Sequence, residues 1–177
     1  MRRKFSEGLL DNKRILENLD IGRSYKVLDA GCGNGYMAKI FSKIVGNTGT
    51  VYALDTDRVF IDILRKQTVN TNITAMVGDI TSKTELGDCS LDLIYLSTVF
   101  HIFKTSQIEG FSKEVKRLLK PNARLAIVNI KKEETAFGPP LEMRSSPEDL
   151  RQKLPFSPKG LFDVGEYFYM QIFKNDI

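Results

Sequence analysis

The run Asp29-Ala30-Gly31-Cys32-Gly33-Asn34-Gly35 follows directly on the apolar pair Val27-Leu28 and leads into a helical pattern. Glycines at alternate positions remove the side chains that would hold a flat ligand off the backbone. Their spacing is GxGxG, whereas a dinucleotide site uses GxGxxG to bring a helix N-terminus to a pyrophosphate, and the difference points to an adenosine ligand without phosphates. Asp55 ends the next apolar run, 20 residues after Gly35. A carboxylate there can accept from both hydroxyls of a ribose, or be a solvated strand-end aspartate, or cap a helix over 57–66. Gly78-Asp79-Ile80 closes a third run, with Asp79 placed to meet an adenine amine and Ile80 to pack on the ring; the competing role for Asp79 is to cap a following helix. His101 comes just after a fourth run and can act as a general base, a substrate hydrogen bond or a structural turn histidine. Ser97 and Thr98, before it, either line a reaction site or cap the turn that precedes Phe100. Tyr36 either packs beside the ligand or fills core.

These residues need elements to hold them, and strand-like and helix-like segments alternate along the chain. Tyr25 to Ala30, Thr50 to Leu54, Ile73 to Val77, Leu91 to Leu96 and Arg124 to Ile130 are short and apolar or β-branched, as buried parallel strands are. Met37, Ile40, Phe41, Ile44 and Val45 form one helical stripe, and Ile108, Phe111, Val115, Leu118 and Leu119 a second that stops before Pro121. Lys131 to Ser145, with Gly138, Pro139 and Pro140, reads as a long loop of functional length. Ser146, Pro147 and Asp149 have the chemistry of a helix start, with Asp149 as capping-box partner. Leu161 to Phe173 reads as a closing hairpin, and the first 24 residues as one short helix starting at Ser6.

Composition narrows the class. The 177 residues hold 42% hydrophobic and 27% charged side chains, enough for one domain and one core. Cys32 and Cys89 share no metal-ligand spacing and His101 is the one histidine, so no metal site is expected and a reducing, cytoplasmic compartment fits. The longest apolar stretch, Leu91 to Phe103, is too short to span a bilayer, and no targeting segment is read. The net charge of +4 is spread along the chain among acidic residues, which disfavours nucleic acid as a partner.

With these residues in order, the chain resembles the class I S-adenosylmethionine-dependent methyltransferases from about Asp29 to Ile130. DAGCGNG is similar to the family's first motif, Asp55 to its ribose-binding acid, GDI at 78–80 to its adenine motif, and LDLIYLSTVFHIF at 91–103 to its fourth strand and turn. The resemblance implies an α/β, three-layer Rossmann-like fold with a seven-stranded, mostly parallel sheet in order 3-2-1-4-5-7-6, strand 7 antiparallel. It implies S-adenosylmethionine as cofactor and S-adenosylhomocysteine as product. Asp29, Gly31, Gly33 and Gly35 then surround the methionine part, Asp29 through the amino group, and Cys32, Tyr36, Asp55, Thr56, Asp79, Ile80, Leu96 and Ser97 complete the cofactor-binding set. His101 is the expected catalytic residue. The segment GPPLEMRSSPEDL is similar to small methyltransferases near the quinone-biosynthesis type.

The expected activity is methyl transfer to a small-molecule acceptor. No Asn/Asp-Pro-Pro-Tyr follows the fourth strand and no Pro-Cys nucleophile occurs, so amino methylation of nucleic-acid bases and cytosine C5 methylation are disfavoured. The 131–145 loop is the expected substrate lid, helped by the segment from Phe5 to Leu10, with Glu133, Glu134, Glu142 and Arg144 available to a substrate. A nicotinamide oxidoreductase lacks support, having neither GxGxxG nor a Tyr-xxx-Lys pair. A non-catalytic cofactor-binding module, an RNA methyltransferase and a homodimer that closes the pocket stay open.

Overall fold

Short β-branched and apolar runs separated by amphipathic helices can bury both faces of a sheet only if each crossover returns the chain to a parallel neighbour. A computed structural model describing residues 8–176 has this arrangement. The elements are α1 (Asn12–Leu19), β1 (Lys26–Ala30), α2 (Tyr36–Val45), β2 (Thr50–Asp55), α3 (Arg58–Gln67), β3 (Ile73–Val77), β4 (Leu91–Ser97), α4 (Thr105–Leu118), β5 (Leu119–Ile130), α5 (Pro147–Lys153), β6 (Ser157–Asp163) and β7 (Phe168–Lys174). They form one seven-stranded sheet in the order β3-β2-β1-β4-β5-β7-β6. The pairs from β3 to β5 are parallel, and β7 runs antiparallel to both β5 and β6.

Alternation along the strands sorts side chains onto two cores. Val27, Val51, Leu93 and Tyr95 face α1, α2 and α3, meeting Ile15, Phe41 and Leu64. Leu28, Ile94, Leu96 and Ile127 face the other way, onto Phe111, Val115 and Leu118 of α4 and Leu150 of α5. The result is three layers, with the carboxyl ends of β1, β2 and β4 opening at one edge.

Several boundaries differ from the sequence pattern. The strand expected from Arg124 begins at Leu119, straight out of α4, because Leu119 already pairs with Leu91 before the register breaks and resumes at Leu93–Arg124. The extra residues are absorbed around Pro121 and a left-handed Asn122, and Asn175 bonds to Ala123 and Leu119 to hold them. β6 starts at Ser157 rather than Leu161; Pro158 and Gly160 are tolerated on an edge strand with a bulge between them. Asp79 caps no helix, since residues 78–90 contain none, and instead accepts from the Thr81 amide and hydroxyl at 2.8 and 2.7 Å. Ser6 lies outside the described residues, and the first described helix starts at Asn12 with Asp11 accepting from the Arg14 amide. The start of α5 matches its sequence signature: Ser146 and Asp149 make both bonds of the capping box. Lys132 and the Ser146 amide together push the Asp149 carboxyl down to about 2.

Candidate functional site

The glycine turn leaves β1 at Asp29 and reaches α2 at Tyr36. Leu54 at the end of β2 accepts from both the Gly31 and Cys32 amides, at 2.7 and 3.0 Å, so the turn is stitched to the neighbouring strand. Gly31 and Gly35 have φ of +70° and +73°, and a Cβ at either would come within 2.5 Å of Val99 or Leu64 respectively. Only glycine meets both demands, and the turn can then lie flat against its neighbours.

Asp55 is the second fixed point. One carboxylate oxygen accepts from the Gly33 amide at 2.7 Å and the other from the Asp57 amide at 2.9 Å. It is Asp57, not Asp55, that caps α3, accepting from Val59 at 2.8 Å. Each Asp55 oxygen keeps a further lone pair for an incoming hydroxyl. The carboxylate thus ties the glycine turn to the end of β2 and still presents acceptors.

A cavity of about 230 Å³ lies beside the turn, lined by Asp29, Cys32, Asn34, Tyr36, Met37, Tyr95 and Ser97, with Gly8, Leu10 and Asn12 on its far side. Of the residues pointed to by sequence, Asp29, Cys32, Tyr36 and Ser97 therefore meet at one place. Asp29 is only 3% exposed, a carboxylate held in a low-dielectric wall. Tyr36 is half exposed and accepts from Asn12 Nδ2 at 3.3 Å, so it joins the start of α2 to the start of α1 and is not core filling. Asp79 and Gly78 line a separate depression along β3 with Leu54 and Met76. Ile80 and Leu96 are buried in the core under α4, and Thr56 is exposed in the turn after β2.

β4 ends in a sharp turn. Thr98 takes φ of +56°, its amide donates to Val128 and its hydroxyl to the Ser97 carbonyl at 2.8 Å. Neither Ser97 nor Thr98 caps the 3-10 turn Phe100–Ile102, which has no side-chain cap. His101 sits in that turn, half-buried. Burial lowers its pKa below 6.5, and the nearby Arg144 guanidinium lowers it further. It is not among the residues lining the cavity.

Arg144 departs from its expected availability to a substrate. It is 5% exposed, and its guanidinium donates to the carbonyls of Lys131, Glu133, Phe137 and Pro139 and to the Thr135 hydroxyl. The 131–145 loop is wound around this one cation, and Phe137 packs edge-on against Tyr167 of the hairpin turn. None of the described residues lining the cavity comes from this loop; Gly8, Leu10 and Asn12 cover it instead. Motif spacing pointed to none of Asn12, Asn34, Met37 or Tyr95. Asn34, inside the glycine turn, carried a local signal, while Tyr95 looked like any apolar strand residue.

Among the described residues no group of three His, Cys, Asp or Glu side chains is placed to hold a metal ion, and no helix is long and apolar enough to cross a membrane.

The family described as a methyltransferase domain matches residues 27–122, from the first residues of β1 to the bulge in β5. An uncharacterized methyltransferase of Synechocystis is 28% identical over 131 residues, covering 71% of this chain and 57% of that protein. A demethylmenaquinone methyltransferase of Staphylococcus aureus is 26% identical over 117 residues, covering 66% of this chain and 48% of that one. The chain thus spans about half the length of these curated relatives. Among solved structures, a SAM dependent methyltransferase from Aquifex aeolicus superposes with a TM-score of 0.81 at 27% identity, covering 97% of this chain and 93% of that one. A putative type 11 methyltransferase from Sulfolobus solfataricus, at 24% identity, shares the fold with a TM-score of 0.82 over 96% and 95% of the two chains. The matched segment carries the glycine turn, Asp55, Asp79 and β4, and the chain belongs to the methyltransferase domain family.

Proposed function

We propose that this chain transfers a methyl group from S-adenosylmethionine to a small-molecule acceptor by in-line displacement, leaving S-adenosylhomocysteine. The observation that carries the reading is the Asp55 carboxylate bonded to the Gly33 amide beside a cavity walled by Asp29, because it brings an acid for a ribose and an acid for an ammonium to one glycine turn. The residues fit the cofactor: a Cβ at Gly31 or Gly35 would close the turn, and the buried Asp29 carboxylate favours a positive group. When bound, S-adenosylmethionine supplies an electrophilic methyl on a sulfonium, so the protein's work is orientation and exclusion of water.

In this reading Asp29 holds the amino group and Asp55 both ribose hydroxyls. Asp79 faces the adenine, with Ile80 packed in the core behind it, and the backbone from Gly31 to Gly35 lies along the methionyl chain with Cys32 and Tyr36. Leu96 and Thr56 shape the strand ends, and Ser97 faces the transferring methyl. His101, neutral at pH 7, takes the proton of an acceptor that arrives protonated. The chain before α1 and the 131–145 loop cover the acceptor, which is of the apolar small-molecule class that the name demethylmenaquinone methyltransferase indicates for a relative. A cytoplasmic location follows from the cysteine usage.

The reading is tested by thermal unfolding with S-adenosylmethionine, S-adenosylhomocysteine and NAD. Either adenosyl ligand at 100 times its dissociation constant should add about 2.7 kcal/mol, raising the melting temperature by roughly 5 to 11 °C. A shift with NAD alone would overturn it.

His101 makes a separate prediction, measured as labelled methyl transfer into a metabolite extract. Turnover should rise with pH through an apparent pKa below 6.5 and be flat at neutral pH, since the lowered pKa keeps the imidazole unprotonated there. His101→Gln should remove that limb and lower turnover about 100-fold while leaving S-adenosylhomocysteine affinity unchanged. Wild-type turnover in the variant would remove His101 from the mechanism.

A further inference from the structure

Tyr95 of β4 stands directly opposite Asp29 of β1 in the parallel register. Its ring is fully shielded from solvent and meets Phe41 of α2 edge-on, with centroids 5.3 Å apart at 82°. A buried tyrosine normally brings its hydroxyl to a hydrogen-bond partner. The Tyr95 hydroxyl makes no hydrogen bond in the described structure. The Ser97 hydroxyl is its nearest polar neighbour and opposes the rise in its pKa, though not in hydrogen-bonding geometry, and the Asp29 charge adds to the rise. All three residues are among those lining the cavity, Tyr95 from within its wall.

Packing does not explain the hydroxyl. Phenylalanine would fill the same space against Phe41 without burying an unsatisfied group, which is costly. Burial, together with the negative Asp29, pushes the phenol well above 10, so it stays neutral and offers both an O–H and oxygen lone pairs. The corner therefore gathers oxygen acceptors: the Asp29 carboxylate, the Tyr95 phenol and the Ser97 hydroxyl. A group with several N–H donors and a positive charge satisfies such a corner, and an ammonium has three diverging donors.

Resting on the cofactor reading above, we propose that the Tyr95 hydroxyl is a binding group for the ammonium at the amino-acid end of the cofactor, accepting one N–H while Asp29 accepts another. Tyr95 then reads the amino-acid end and not the adenosine end. Its hydroxyl is left unsatisfied until that end is bound, so its effect on the ligand-free protein and on the complex should have opposite signs.

The test is titration calorimetry of wild type and Tyr95→Phe with S-adenosylhomocysteine and with 5′-methylthioadenosine, which keeps the adenosine and thioether but lacks the amino-acid end. The variant should bind S-adenosylhomocysteine roughly tenfold more weakly, bind methylthioadenosine within about twofold of wild type, and melt at or above wild type without ligand. Unchanged S-adenosylhomocysteine affinity overturns the proposal, as does parallel weakening of both ligands. A ligand-free melting temperature lowered by more than about 4 °C also overturns it, because the hydroxyl would then be serving the fold. Wild type that binds neither ligand instead fails the cofactor reading on which the proposal rests.

Discussion

Replacing Asp55 with alanine should weaken S-adenosylhomocysteine binding by about 100-fold or more, close to 3 kcal/mol. Two losses combine. The ribose loses a charged acceptor, and hydrogen bonds to charged groups are worth about 1.5 to 3 kcal/mol each. The Gly33 amide also loses its 2.7 Å partner and the Asp57 amide its 2.9 Å partner, which frees the glycine turn from the end of β2. The ligand-free protein should therefore melt lower as well, by roughly 2 to 6 °C. Asp55→Asn separates the two roles poorly, because either orientation of the amide sets an NH₂ against one of the two backbone N–H groups. The decisive comparison is affinity against melting in Asp55→Ala. A lower melting temperature with affinity within about threefold of wild type would mean that Asp55 only ties the turn.

The second large effect concerns the segment that crosses from β3 to β4 without a helix. Glu114 of α4 is 4% exposed and accepts from the Thr84 amide and hydroxyl, at 2.8 and 2.7 Å, and from Arg117 at 2.6 and 2.8 Å. Arg117 in turn donates to the Leu86 carbonyl at 2.8 Å and to Asp88. These bonds hold residues 84–88 onto α4. Glu114→Ala leaves the part-buried Arg117 with only the exposed Asp88 as counter-charge and the Thr84 amide without its acceptor, and breaking a buried pair costs about 3 to 5 kcal/mol, or roughly 6 to 20 °C of melting temperature. The double variant Glu114→Leu with Arg117→Met should be less damaging than Glu114→Ala, since no unpaired charge is left buried. A double variant that melts below the single one would mean that the bonds, and not the stranded charge, set the cost.

The same network gives a pH dependence. Burial alone would raise the Glu114 carboxyl, but the bonds from Arg117 and Thr84 outweigh it and hold the group below its ordinary value of 4.5. A carboxyl lowered on folding contributes stability that is present above 4.5 and is lost as pH falls through the folded value. His101 works on the same side from a different start: its lowered pKa means that the unfolded chain binds the proton first, so stability also declines as pH falls below 6.5. Acid titration of the melting temperature should show a shallow decline below 6.5 and a steeper one below 4.5. Glu114→Ala should lose part of the second decline and keep the first.

What the sequence carried was local. The five parallel strands carry largely apolar runs, and the run alone locates Ile73 to Val77 without error, even on an edge strand where Thr74 is exposed. The capping pair Ser146 and Asp149 lies three residues apart, within reach of a reading of spacing. GxGxG, Asp55 and Asp79 mark strand ends because glycine and a carboxylate there have few other uses. The order of the sheet followed from the family resemblance, not from periodicity, since which strands become neighbours depends on contacts between segments far apart in the chain.

The elements that were misplaced are those where a distant partner outweighs local preference. Pro158 and Gly160 lie before the hairpin expected from Leu161, yet pairing with Phe173 and Ile172 makes them part of its strand, because an edge position spares the missing N–H. Leu119 belongs by its period to the helix, yet pairs with Leu91. Arg144 looked like a charge available to a substrate, but four carbonyls and a hydroxyl of its own loop surround it, and only the folded path of the loop brings them together.

The sequence by itself therefore determined the chemistry on offer: a glycine turn, acids at the ends of two strands and a histidine after a fourth. Tertiary structure decided which of these share a cavity. Asp29, Cys32, Tyr36 and Ser97 meet, Ile80 and Leu96 turn into the core, and Tyr95 enters the site through its register with Asp29. The reason is physical: residue type limits what a group can do, but a hydroxyl buried in a strand gains its neighbours only when another strand is laid beside it.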